Sequence, residues 1–273
     1  MICSVSITKF TNAGDRMDLT EMKNSLNTVY TLWLREMLRY KRSRSRIIGS
    51  LATPLFFLVI MGSALGSTMT LRSGRYIDYM APGIIGMSIL FSSLMGGVSI
   101  IWDREFGFLK EILVAPVSRI YTALGKATGG VTAAIIQGTL LMVISGYIGV
   151  NYVSVIGQLF CILIMFIMGL GFIGLGITLA SRIDSHEGFQ MMMTFLTFPM
   201  LMASTAFYPM ENLPSWLEIP VRLNPLTYGI EAMRWSLIGV SEVPLMRSML
   251  VIIIFASVML TLGSWSFDRA GDH

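Results

Sequence analysis

Six stretches of the chain are apolar over 20 residues or more, and short polar or charged segments separate them. A helix needs about 20 apolar residues to cross roughly 30 Å of hydrocarbon, where backbone groups find partners only within the helix itself. The pattern predicts an all-α integral membrane protein with six transmembrane helices. The predicted spans are 47–66, 81–102, 127–150, 153–180, 189–208 and 247–266.

A different pattern precedes the first span. Apolar residues recur there at helical spacing, with polar residues largely on other faces. They are Met22, Leu26, Val29, Trp33, Met37 and Tyr40. This predicts an amphipathic helix over 19–46 in the cytoplasmic membrane interface. Residues 1–18 are assigned to an N-terminal tail, and residues 47–273 are assigned to the transmembrane domain. The sequence does not decide whether Met1 or Met17 is the start.

Composition agrees with a membrane protein, since 54% of residues are hydrophobic, 13% are charged and the mean hydropathy is +0.69. Positive charge resists translocation, so the side richer in Lys and Arg is cytoplasmic. The segment before the first span carries nine of the 20, and the loop after the second span carries four. Both termini of this multi-pass cell-membrane protein are therefore predicted to be cytoplasmic. Basic residues beside a span suit lipid headgroups, so no nucleic-acid partner is expected.

Several kinds of site find little support in the sequence. Cys3, Cys161, His186 and His273 lie in separate segments, without the spacing of a metal or redox site. The predicted spans hold no deep charged residue, which disfavours proton-coupled transport. Small residues instead form a stripe in the third span, at Gly130, Ala134 and Gly138, and predict close helix packing within the bundle or at a dimer interface.

Residues 209–243, between the fifth and sixth spans, are too apolar for a solvated loop. Four prolines prevent a single spanning helix. The segment is expected to fold back on the bundle as an outer re-entrant hairpin, with a turn at Asn224-Pro225 and a helix over 226–239. Glu231 and Arg234 lie three residues apart there and can pair. A structural cap and a gate over the exit are both open as its role.

The segment 102–126, between the second and third spans, mixes charges of both signs with aromatic and aliphatic residues. The acidic residues Glu105 and Glu111 disfavour a position on anionic lipid. A groove on a cytoplasmic protein suits this composition better. The segment is therefore predicted to contain a short helix that docks on a cytoplasmic partner.

Two segments of the chain resemble the permease subunits of ABC-2 type ATP-binding-cassette exporters, in particular the daunorubicin-resistance-like drug-efflux permeases. The cytoplasmic signature is matched by Asp103, Arg104, Glu105, Gly107, Glu111 and Pro116. The outer signature is matched by Leu213, Pro214, Asn224, Pro225, Leu226, Thr227, Tyr228 and Arg234. Phe108 stands where the family often has a small hydroxyl residue, and Lys110 precedes the glutamate; both departures concern partner specificity. The resemblance extends over nearly the whole chain from the leader helix onward.

The resemblance implies a half-transporter without an ATPase site of its own. Two permease copies, most simply a homodimer, would bind two ATP-binding subunits that hold ATP and Mg, while this chain binds no cofactor. Coupling to those subunits would use Arg104, Glu105, Gly107, Phe108, Glu111 and Pro116. The outer gate would use Pro214, Asn224, Pro225, Tyr228, Glu231 and Arg234. Consistent with an external motor, the sequence has no G-x-x-x-x-G-K-[ST] phosphate loop.

The expected function is a path for an amphipathic drug, lipid or other small hydrophobic substrate. A polysaccharide or haem exporter of the same family is an alternative. Two other classes also stay open, namely a secondary carrier and a membrane assembly subunit that transports nothing. Co-purification with a cassette-type ATPase would distinguish an ATP-driven exporter from a secondary carrier or an assembly subunit.

Overall fold

A computed structural model describes residues 27–66, 74–98, 101, 119–183 and 185–270. Within these ranges the chain is helical, with turns between the helices. The helices are α1 (27–42), α2 (Arg44–Gly66), α3 (Tyr76–Gly96), α4 (Arg119–Ile148), α5 (Val155–Ala180), α6 (His186–Met202), α7 (Ser215–Leu223), α8 (Pro225–Ile238) and α9 (Leu245–Ala270).

Five of the described helices are long and apolar enough to cross a membrane: α2, α3, α4, α5 and α9. They correspond to the first, second, third, fourth and sixth predicted spans. Two begin five or more residues earlier than predicted, α3 at Tyr76 and α4 at Arg119. The six-span count is not confirmed, because α6, which covers the fifth predicted span, has only 17 residues. Its length of about 25 Å is less than the hydrocarbon thickness.

The chain leaves the helical conformation at Ala203 (φ −89°, ψ 49°), at the end of α6. Pro199 lies one turn earlier and has no N–H to donate to the helix. Ser204 then donates its hydroxyl to the carbonyl of Leu201 at 2.6 Å, which occupies one of the terminal acceptors. Residues 204–207 are not helical, yet they are fully buried, so the predicted fifth span ends several residues early.

Helix α3 forms the centre of the bundle, and most of its side chains are buried. Small residues on neighbouring helices permit close contact with it. A Cβ at Gly130 would lie 2.3 Å from Ile173 of α5, and one at Gly138 would lie 2.9 Å from Ile89 of α3. Ala134, between them, has no exposed surface. The predicted stripe therefore packs inside the subunit, against α3 and α5.

The amphipathic helix α1 is tied to α4 over its described part. Leu32 is buried, and Trp33 donates its indole N–H to Thr132 at 3.1 Å. A Cβ at Gly125 would lie 2.9 Å from Leu32, so this helix crossing depends on glycine. The helix stops at Ser43 rather than running to 46, and Arg44 already belongs to α2.

The connectivity gives the bundle two ends. The end that carries α7, α8 and the start of α9 is called the hairpin end below. The opposite end carries α1, the starts of α2 and α6, and the end of α5, and is called the amino-terminal end. The predicted docking segment lies outside the described residues from 102 to 118, and its last residues, 119–126, form the first two turns of α4.

Candidate functional site

The hairpin end contains two short helices joined at Asn224. This residue has extended backbone angles, and its side-chain oxygen accepts from the N–H of Leu226 at 3.0 Å, as an N-cap does. Pro225 follows at the first helical position, where its missing N–H costs no hydrogen bond. Tyr228 donates its hydroxyl back to the carbonyl of Arg222 at 2.7 Å and fixes the corner. Local sequence therefore determines the turn between α7 and α8.

Helix α8 carries an ion pair that has no exposed surface. Arg234 donates to Glu231 one helical turn away, and both side chains are fully buried. Arg234 also donates to two backbone carbonyls, those of Thr205 at 2.6 Å and Tyr79 at 3.3 Å. Its guanidinium carbon lies 3.7 Å from the centre of the Tyr79 ring. One cation thus links α8, the start of α3 and the non-helical segment after α6.

That non-helical segment depends on side chains for its hydrogen bonds, because carbonyls at a helix end have no partner within the helix. The amide of Asn224 donates to the carbonyls of Met200 at 2.6 Å and Ala203 at 2.5 Å. Tyr76 donates its hydroxyl to the carbonyl of Phe207 at 2.7 Å. Together with Arg234, these residues satisfy irregular backbone that would otherwise be costly to bury.

A second carboxylate, Glu242, extends the network toward the last helix. Its backbone N–H donates to Glu231 at 2.7 Å, and its own carboxylate accepts from the N–H of Met210 at 2.6 Å. Burial raises the pKa of Glu242 above its ordinary value, and the nearby Glu231 carboxylate adds to that rise. The hydroxyl of Tyr79 lies 3.3 Å from Glu242. Glu242 therefore joins the entry to α7 and the exit from α8 in one cluster.

Two glycines allow the main chain at the hairpin end to pack closely against α3 and α5. A Cβ at Gly83 of α3 would lie 2.3 Å from the carbonyl of Ala206, and one at Gly157 of α5 would lie 2.0 Å from the carbonyl of Ser236. Substitution at either glycine would displace main-chain atoms. The segment after α6 therefore packs closely against α3, and the end of α8 packs closely against α5.

The structure brings together five of the six hairpin residues proposed from the sequence: Asn224, Pro225, Tyr228, Glu231 and Arg234. Pro214 stands apart at the N-terminus of α7, where it is exposed. The expected Glu231–Arg234 pair and the helix after Pro225 are both present. Their action as a gate stays a prediction. The proposed coupling residues Arg104, Glu105, Gly107, Phe108, Glu111 and Pro116 lie outside the described residues.

Two residues of the cluster were missed from the sequence, Tyr79 and Glu242. A signal for Tyr79 existed in its position beside Asp78, at the start of an otherwise apolar helix. Glu242 is the last carboxylate before the final span, which alone does not indicate burial. Within the described ranges, no group of three or more His, Cys, Asp or Glu residues could hold a metal ion.

The long apolar helices indicate a multi-pass membrane protein. A family profile described as "ABC-2 type transporter" matches residues 27–238, and the chain belongs to that family.

The chain is similar over most of its length to two proteins named as transport permeases and to one named as a nodulation protein. It is 28% identical to ycf38 of Cyanophora paradoxa, across 77% of this chain and 74% of that protein. It is 25% identical to the inner membrane transport permease YadH of Escherichia coli K12, across 88% and 94%. It is 26% identical to nodulation protein J of Rhizobium meliloti, across 76% and 80%.

Proposed function

We propose that this chain is the membrane-spanning subunit of an ATP-driven exporter of small amphipathic molecules. Two copies would form the path, and two ATP-binding subunits at the amino-terminal end would supply the energy. Both termini and segment 102–118 would then be cytoplasmic, in agreement with the distribution of Lys and Arg.

The observation that carries this proposal is the match to the ABC-2 type transporter family over residues 27–238. The family's permeases generally lack an ATPase site of their own and usually pair with an ATP-binding subunit. The sequence agrees, since it contains no phosphate-loop motif. An ATPase partner would therefore be needed for active export.

A second copy of the chain is supported by the apolar faces that the bundle leaves uncovered. Phe56 and Ile60 on α2, and Met191 and Phe195 on α6, are all substantially exposed. Lipid or a second permease could cover such faces. We favour a homodimer because α2 and α6 both present large apolar side chains that could line or close a path between the copies.

The hairpin formed by α7 and α8 is proposed to act as the outer gate. Its charged cluster contacts α3 and the end of α6 at once, so movement of these helices would move the hairpin as one body. A structural cap would instead keep its hydrogen bonds throughout the transport cycle. Distances between spin labels on α7 and α9, with and without ATP and its partner, would separate the two roles.

The decisive experiment is reconstitution. The tagged full chain should co-purify with a cassette-type ATPase from its native membrane, and vesicles holding both should accumulate an amphipathic dye only with ATP and Mg. Dye movement driven by an ion gradient without the ATPase would indicate a secondary carrier. ATP hydrolysis with no movement of any tested cargo would indicate an assembly subunit.

Coupling through segment 102–118 gives a sharper test. Glu111→Gln or Gly107→Ala should leave insertion and abundance normal while transport falls strongly relative to ATP hydrolysis. Glu218→Gln, an exposed carboxylate on the hairpin, is the matched control and should leave the ratio unchanged. Normal transport by both coupling variants at normal abundance would refute this assignment.

A further inference from the structure

A cavity of about 440 Å³ lies at the amino-terminal end, between α1, α2, α3, α4 and α6. We refer to it as the amino-terminal cavity. Its volume is within the range of small-molecule sites, which are mostly apolar with a few placed polar groups. Phe91, Met87 and Met95 of α3 form apolar parts of its wall. The cavity belongs to a single subunit and is separate from the buried cluster at the hairpin end.

The mouth of the cavity carries charges that are already paired. Glu36 lies 3.7 Å from Arg39 and 3.5 Å from Arg35, measured between side-chain oxygen and nitrogen. The hydroxyl of Tyr40, also in the lining, is buried and finds no hydrogen-bond partner among the described residues. Burial raises the pKa of Tyr40, so the phenol stays neutral and available as a donor. The lining also includes Arg39, His186 and Gln190, and the Tyr40 hydroxyl adds an uncharged donor there that has no partner among the described residues.

The deep end of the cavity holds a second such group, Ser88. Its side chain is 1% exposed and lines the cavity, and its hydroxyl has no partner within the described part of the chain. Serines inside helices usually donate to the carbonyl four residues earlier, as Ser145 does at 2.7 Å. Ser88 lies eight residues before the end of α3, about 12 Å from that end by helical rise. The cavity thus reaches well into the apolar depth of the bundle.

Neighbouring residues keep this deep end polar and open. Gln137 lines the cavity and donates to the carbonyl of Ser50 at 3.0 Å, which joins α4 to α2. Gly49 also lines it, and a Cβ there would meet no atom within 4 Å. A hydrocarbon tail inserted from the mouth would leave the Ser88 hydroxyl without an acceptor, which is unfavourable in a buried site.

From this arrangement we infer that the amino-terminal cavity binds a neutral, rigid amphipathic molecule with a hydrogen-bond acceptor at each end, rather than a simple acyl chain. One acceptor would meet Tyr40 at the mouth, and the other would meet Ser88 at depth. The apolar middle would lie along Phe91 and the methionines. The role of this cavity as a site for cargo rests on the proposed export function. Binding of a ligand to the cavity needs neither ATP nor a partner subunit.

The test uses cysteine protection in membrane vesicles that hold the full chain, with Cys3→Ser as background. Ser88→Cys should react with N-ethylmaleimide, and progesterone, a rigid steroid with a ketone at each end, should slow that reaction several-fold. Pregnane, the same ring skeleton without the ketones, should protect far less. Equal protection by pregnane, or no protection by progesterone, would refute the inference.

Ser93→Cys is the matched control for access. Ser93 is on the same helix, has 0% exposure and likewise has no described hydrogen-bond partner, but it does not line the cavity and faces Gly169 of α5. It should react much more slowly than Ser88→Cys. Equal rates at the two positions would show that the cavity is not an open site.

Two further variants use equilibrium binding of radiolabelled progesterone to the solubilised chain. Ser88→Ala should weaken binding about three- to tenfold, the value of one neutral hydrogen bond, while Ser93→Ala should not. Gly49→Leu should weaken it by partly filling the cavity. Gly66→Leu on the same helix, where a Cβ also meets no atom within 4 Å, should not. If binding and protection are present but vesicles fail to export, the proposed function fails and the cavity assignment stands.

Discussion

Helices α7 and α8 follow one another in the chain, and each carries a glutamate and an arginine within one helical turn. In α7, Glu218 and Arg222 pair at 2.6 Å, with side chains 49% and 62% exposed. In α8, the side chains of Glu231 and Arg234 are 0% and 1% exposed. The first pair is solvated on both sides, whereas the second replaces water with three backbone partners, the carbonyls of Tyr79 and Thr205 and the N–H of Glu242. Pairs with nearly the same sequence spacing, four residues in α7 and three in α8, thus differ greatly in structural importance.

The largest effect is expected from Arg234→Met. Removal of one partner leaves the Glu231 carboxylate buried without its cation and two carbonyls without a donor, at a cost of about 3–5 kcal/mol. The thermal unfolding midpoint in detergent should fall accordingly. The double variant Glu231→Gln, Arg234→Met should be more stable than Arg234→Met alone. A single variant of near wild-type stability would contradict the role given to this pair.

Asn224→Ala should have the next largest effect, about 2–3 kcal/mol. It removes the N-cap of α8 and also the donor to the carbonyls of Met200 and Ala203. Asn224→Ser is the informative control, since it keeps a capping oxygen but cannot supply the amide donor. It should recover only part of the loss in the same unfolding measurement. Full recovery would show that the α6 carbonyls do not depend on this amide.

Glu242→Gln should have a smaller effect, about 1 kcal/mol, and one that depends on pH. Because the folded-state pKa of Glu242 is raised above its ordinary value of 4.5, folding favours the protonated acid. That contribution is complete below pH 4.5 and is lost as the pH rises through the higher folded value. Wild-type stability should therefore decline relative to Glu242→Gln as the pH rises above 4.5. Parallel pH profiles of the two proteins would argue against a buried carboxylate here.

The smallest effect is expected from Arg222→Ala. An exposed pair of this kind contributes at most about 0.5 kcal/mol, because water screens both charges. The unfolding midpoint should stay close to the wild-type value and should not depend on salt beyond the wild-type dependence. A loss comparable with that of Arg234→Met would mean that α7 is covered, for example by a second copy of the chain.

Sequence reasoning succeeded where a feature is local. The hydrophobic runs predicted α2, α3, α4, α5 and α9, and Asn224-Pro225 predicted the turn before α8. The spacing of Glu231 and Arg234 predicted their pairing, whereas α7 was not predicted as a helix. It was less successful at helix ends, since α3 and α4 begin earlier than the hydropathy pattern indicates and α6 ends sooner. Helix boundaries depend on which terminal groups find partners, and those partners come from distant segments.

The sequence by itself determined that this protein is a helical membrane protein, because span length, small-residue spacing and turn residues act within a few positions of each other. Its transporter family followed from the resemblance of two signature segments and from the family match over residues 27–238. Only the tertiary structure decided which ion pair is buried, that Tyr79 and Glu242 join it, and that Ser88 faces a cavity while Ser93 faces a helix. Burial results from contacts between segments far apart in the chain. A cavity, likewise, is space that several helices leave unfilled together, and no single segment encodes it.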